Sequence, residues 1–228
     1  MANAASLLRS WLKTLANLVS LVLVLLPAAN CWLEKRLSAR AEGVFGFWTN
    51  VFALLPGLPG MYLRRAFYHL TLEYCSLRSY IGFGTLFSHR STRVEDGAYI
   101  GPYSLIGSAW IKKRCLLGSR VSLLSGPLLH ELDKDGHWTP ADLSKARQIV
   151  LEEDVWIGEG ASVMVNVGRA SLVGTGAVVS TRVRAGVVVA GNPARFVRRL
   201  RPDEEPAASS HRDAEASIAP TGDGARRD

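Results

Sequence analysis

Cysteine is scarce in this chain. Cys31, Cys75 and Cys115 are the only three in 228 residues, and no two form a CxxC pair. That excludes a disulfide framework and a zinc module built on paired thiols, and it predicts reduced, buried thiols. Acid is also in deficit: 20 Asp and Glu stand against 27 Lys and Arg, for a formal net charge of +7. An anionic partner is expected. The arginines cluster at 36, 40, 64 and 65 and again at 195, 198, 199 and 201, in no recognisable nucleic-acid motif, so nucleic acid is not the expected partner. With 48% apolar residues the chain can bury a core, which excludes disorder as its general state and predicts one domain with appendages.

Charge is missing altogether from two stretches. Residues 14–33, TLANLVSLVLVLLPAANCWL, hold twenty uncharged residues, enough at 1.5 Å rise each to cross a hydrocarbon layer of about 30 Å. The second, Gly43 to Leu63, is interrupted by Pro56, Gly57, Pro59 and Gly60 and reads as an interfacial or re-entrant element. The alternative is that both pack on the domain as buried helices. A secretory signal fits poorly, because Asn30 precedes Cys31 where a small residue is needed. Basic residues flank the first run on both sides and leave its orientation open. Residues 1–72 are therefore expected to be a helical, apolar, membrane-associated region. From Asp203 the composition turns to DEEPAASSHRDAEASIAPTGDGARRD, and a disordered tail is expected over 201–228.

Between these ends neither a 3.6-residue nor a 2-residue period is present; the period is six. Aliphatic or aromatic residues open the units at Ile81, Phe87, Val94, Ile100, Ile106, Ile111 and Leu117, and after a gap at Leu151, Ile157, Val163, Val167, Val173, Val179 and Ala185. A small or β-branched residue stands four later in most units: Thr85, Ser91, Ala98, Ser104, Cys115, Val121. One unit is a residue long before Val94, another a residue short before Ile111, and after the gap only the step at Val163 is short. Glycine follows many opening residues (Gly82, Gly101, Gly107, Gly118, Gly158, Gly174, Gly186), as sharp turns require. Short strands joined by tight corners account for this, with three six-residue faces to a triangular coil and coils stacked about 4.8 Å apart. The spacing over roughly residues 75–199 resembles the left-handed parallel β-helix of hexapeptide-repeat proteins.

The expected architecture is accordingly mainly β: a left-handed parallel β-helix over 73–200, with N-terminal apolar helices, an excursion loop at 124–148 and a short C-terminal helix. AGNPARFVRRL, from Ala190 to Leu200, resembles the ending of hexapeptide-repeat acyltransferases, in which a Gly-Asn-Pro-Ala turn closes the last coil and leads into a basic helix. That resemblance implies a homotrimer with acetyl-CoA, or another short acyl-CoA, as co-substrate in a groove between subunits, and no metal. It would place Gly158, Ala161, Gly176 and Ala177 along the pantetheine, with Arg195, Arg198 and Arg199 meeting the nucleotide phosphates.

The same resemblance explains the gap. SLLSGPLLHELDKDGH (residues 122–137) interrupts the hexads and resembles the stretch that carries the family's general base, which implies His130 in that role, with Glu131 or Asp133 holding its other ring nitrogen. His137 is the reserve, His89 projects outward near the acceptor or into solvent, His69 packs before the repeat, and His211 lies in the tail. The function expected is acyl transfer to a sugar, glycolipid or other small hydroxyl or amine acceptor at the cytoplasmic face of a membrane. Two alternatives remain: a noncatalytic β-helical scaffold, and a zinc carbonic anhydrase-like enzyme joining His89, His130 and His137.

Overall fold

The computed structural model describes residues 2–125, 130–140 and 146–200. Residues 74–190 wind into six triangular coils. The first face carries the aligned positions Cys75, Val94, Ile111, Leu151, Val167 and Val183. The second pairs Ile81, Ile100, Leu117, Ile157, Val173 and Val189 in parallel, and the third Phe87, Ile106, Leu123, Val163 and Val179. These side chains fill the prism. All of the predicted opening residues are buried except Ala185, which is exposed.

The corners are not equivalent. From first face to second, and from second to third, every step is six residues, for example Val94 to Ile100 to Ile106. At every such corner except the first, from Cys75 to Ile81, the third residue after the inward one takes left-handed backbone: Gly97, Arg114, Asp154, Ala170 and Gly186 at one vertex, Gly84, Tyr103, Arg120, Gly160 and Gly176 at the other. The corner from third face back to first has no such residue in its short steps among those described, Gly136 lying within the excursion, and it carries every departure from six. Phe87 to Val94 takes seven residues, Ile106 to Ile111 five, Val163 to Val167 four, and the excursion from Leu123 to Leu151 leaves here too.

Two register expectations are corrected at this vertex. Val179 to Val183 is a second four-residue step, so Val183 points inward and Ala185 does not. In the seven-residue unit the buried small residue is Thr92, with Ser91 outside. Apart from Gly186, which does take the turn, the glycines expected to follow opening residues do a different job from the one expected. A Cβ on Gly158 would lie 2.5 Å from the Thr175 nitrogen, so its hydrogen side chain admits the next coil's backbone; the sharp turn itself falls two residues later.

Four helices precede the coils: α1 (Ala2–Leu23), α2 (Leu25–Leu37), α3 (Gly43–Ala53) and α4 (Gly57–Thr71). The uncharged run 14–33 is not one helix. Pro27 has no N–H to return to the Leu23 carbonyl, and the chain breaks at Val24. No single helix among the described residues is long and apolar enough to cross a membrane; only α1 from Ser6 and α2 together reach that length, bent by 51°. The second uncharged run packs on the domain. Phe52 of α3 stacks on Phe67 of α4 at 4.7 Å, and Tyr68 lies 4.5 Å from Phe87, closing the prism's first coil. Arg64, 2% exposed, donates to the carbonyls of Leu55 (2.6 Å), Phe52 (3.3 Å) and Ile81 (3.3 Å), so part of the N-terminal arginine cluster is internal.

The last expected element is corrected as well. Residues Arg195–Arg199 form an extended strand, not a helix, antiparallel to Val187–Ala190. The outer edge of the final coil would otherwise leave its backbone groups unpaired, and a returning strand supplies the partners. The predicted tail, 201–228, lies outside the described residues.

Candidate active site

The excursion is anchored on the irregular vertex by main-chain and serine contacts. Arg147 N donates to Ser125 O at 2.7 Å, Ser108 N to Ser125 Oγ at 2.8 Å, and Gln148 Nε2 to Ser91 O at 2.7 Å. Residues 130–139 fold back on themselves. Thr139 N donates to Glu131 O at 2.8 Å and Asp133 N to His137 O at 2.9 Å, with Leu132 and Trp138 bridged antiparallel. Asp133 makes the turn, its Oδ1 accepting from the Asp135 and His137 amides at 2.9 and 2.8 Å.

His130 stands at the base of this hairpin with its ring exposed, Nδ1 2.9 Å from the Thr139 carbonyl. A carbonyl oxygen can only accept, so Nδ1 carries a proton, and in the neutral ring Nε2 then carries the lone pair. The sequence offered Glu131 or Asp133 for this orienting place. The structure gives it to a main-chain oxygen, which no side-chain pattern signals, and assigns Asp133 to the turn.

Two of the other histidines have partners elsewhere, and His211 lies outside the described residues. His89 Nδ1 lies 2.7 Å from Glu42 Oε2, beneath the helices. His69, expected to pack, is exposed at the end of α4 and donates from Nδ1 to Cys75 O at 2.6 Å. Among the described residues no three His, Cys, Asp or Glu side chains gather to hold a metal, so His89, His130 and His137 do not converge within one chain.

The seven residues expected along the co-substrate separate. Ala161 and Ala177 are fully buried in the prism, so their side chains cannot face a ligand. Gly158 is packed under Thr175, whereas Gly176 faces open space. At the far end, Arg195 and Arg199 line a cavity of about 560 Å³ with Arg182 and Arg184 around an apolar floor that includes Val183 and Val187. Arg182 and Arg184 were not singled out in the sequence; they flank Val183, the inward residue that ends the four-residue step. Arg198 is not part of that lining and pairs across Val188 in the terminal strand.

Fold and site together define a left-handed parallel β-helix of the hexapeptide-repeat kind. The chain is similar in structure to a maltose O-acetyltransferase from Clostridium difficile, with a TM-score of 0.59 and 14% identity over 70% of this chain and 87% of that one. It is likewise similar to a hexapeptide-repeat acetyltransferase from Vibrio cholerae complexed with acetyl coenzyme A, with a TM-score of 0.56 and 20% identity over 68% of this chain and 85% of that one. In sequence it is 41% identical over 56 residues to a 2,3,4,5-tetrahydropyridine-2,6-dicarboxylate N-acetyltransferase of Staphylococcus aureus, which is 24% of this chain and 23% of that protein. The chain spans less than a third of the length of the curated relatives it matches. No protein-family model matches it.

Proposed function

We propose that the protein is an acyl-CoA-dependent acyltransferase that moves an acetyl group from acetyl-CoA to a hydroxyl or amine of a sugar, glycolipid or other small acceptor, with His130 as general base. The observation that carries this reading is the His130 imidazole, held by the Thr139 carbonyl with Nε2 outward, on a hairpin that leaves an otherwise regular coil. The similarity to acetyltransferases in fold and in a short stretch of sequence supports it.

Nε2 takes the proton from the acceptor O–H or N–H as that atom bonds to the thioester carbonyl carbon. The C–S bond then breaks, and the imidazolium returns the proton to the departing thiolate. Gly176 offers a side-chain-free surface to the pantetheine, and Arg195 with Arg199 offers guanidinium groups to its phosphates. A homotrimer would set the hairpin of one protomer against the coils of the next. Support for such a seam is the exposed ladder of Tyr99, Leu116 and Trp156 on the second face. The site of action we propose is the cytoplasmic face of a membrane.

The test is thiol release by the purified full-length protein with acetyl-CoA and a panel of hydroxyl and amine acceptors. His130→Ala is expected to lower turnover by about 10²- to 10⁴-fold while calorimetry still detects coenzyme A binding. Undiminished turnover removes His130 as base; failure of the unaltered chain to bind coenzyme A favours the scaffold.

A further inference from the structure

The helix α1 is mounted inside out. A surface helix normally turns its apolar stripe to the core and its polar residues to water. Here the polar Asn17 accepts from Arg65 Nη2 at 2.6 Å and Ser20 is buried against the body, while Trp11 (72% exposed), Leu15 and Val22 (65%) point away from it. The exposed apolar surface continues through Leu26 (71%) and Leu33 to Leu37 (80%) on α2. Such a surface on a folded protein marks something that covers it.

Charge selects what that is. The only acids among residues 1–72 are Glu34 and Glu42. Glu34 caps α3, accepting from the Val44 and Phe45 amides at 2.7 and 3.2 Å, and lies 3.5 Å from Arg90. Glu42 accepts from His89 and from the Arg90 amide. Both carboxylates are thus engaged internally. The exposed cations Lys13, Lys35, Arg36 and Arg40 carry no ion pair among the described residues. A second copy of this chain docked on the same face would bring like charges together with no acid between them. An anionic lipid surface answers both the leucines and the lysines. The 51° bend between α1 and α2, neither of which spans alone, suits helices lying along a headgroup layer.

We infer that α1 and α2 form an in-plane anchor for an anionic lipid surface, with Trp11, Leu15, Val22, Leu26 and Leu37 among the acyl chains and Lys13, Lys35, Arg36 and Arg40 at the headgroups. This rests on the membrane part of the reading above and not on its chemistry. In the plane of the headgroups the anchor brings the coils to a lipid-linked acceptor without threading the chain through the bilayer.

The test is cosedimentation of the full-length protein with vesicles of phosphatidylcholine, with or without phosphatidylglycerol. Binding is expected only with phosphatidylglycerol and is expected to weaken as salt rises. Lys13→Gln, Lys35→Gln, Arg36→Gln and Arg40→Gln together are expected to lower the partition coefficient by about fivefold for each charge removed. Leu26→Ser with Trp11→Ser is expected to lower it independently of salt. Thiol release with a soluble acceptor is read on the same variants and is expected not to change, so loss of lipid binding is distinguishable from loss of catalysis. Equal binding to neutral vesicles at high salt overturns the inference. So does absence of vesicle binding, whether or not Leu26→Ser then alters the sedimenting oligomer.

Discussion

Each thiol in this chain sits where a small apolar side chain is needed. Cys75 and Cys115 point into the prism and Cys31 is on the buried side of α2; all three are free and buried. Burial pushes Cys75 and Cys115 up to about 12, and burial together with the nearby Glu34 carboxylate pushes Cys31 up to about 11. The thiolate is the reactive form. Native protein at about pH 8 is therefore expected to resist iodoacetamide, and unfolded protein to take up three equivalents by mass spectrometry. Rapid labelling of the native chain would contradict this burial. His130 presents the opposite case at the same scale, an exposed ring whose tautomer is set by one main-chain oxygen.

At the scale of the coil, two kinds of glycine have separate tests. Gly158→Ala places a methyl 2.5 Å from the backbone of the next coil, which cannot yield without shifting a strand, and is expected to cost roughly 1–3 kcal/mol in thermal unfolding. Gly176→Ala meets nothing within 4 Å and carries only the penalty of a left-handed conformation at φ +67°, about 1–2 kcal/mol. The coils were legible because inward aliphatics repeat through residues 81–179 with few substitutes. Legibility failed where a small apolar residue imitated an opening one: Ala185 continued the period of six on paper, while the four-residue step put Val183 inside. The terminal strand was hidden for another reason. FVRR (residues 196–199) takes its conformation from the unpaired edge of the coil before it, a tertiary cause that local sequence does not carry. Most of the candidate site was legible as types of residue. The Thr139 carbonyl was not, because every residue has one.

At the scale of the whole molecule, the helices are fastened to the coils through Arg90, which donates to Cys31 O at 2.9 Å and sits between Glu34 and Glu42. Burial alone would raise the Glu42 carboxyl, but the hydrogen bonds from His89 and the Arg90 amide, with their charges, outweigh it and hold the group below the ordinary glutamate value of 4.5. A lowered folded value contributes stability above the unfolded one, and that contribution disappears as the pH falls through the folded value. On acidification below about 4.5 the amides of α3 are therefore expected to exchange hydrogen sooner than those of the coils. Glu42→Gln is expected to remove that pH dependence; unchanged acid sensitivity in the variant would assign the effect to another group.

Two vertices of the prism are held to a strict count by left-handed residues, and the third accepts four, five, seven or twenty-eight residues between the same two faces. Length change is thus confined to one side of the molecule, where the imidazole also emerges. A graft or deletion there alters what meets the reacting group while every rung above and below stays in step, so selectivity can drift independently of the scaffold.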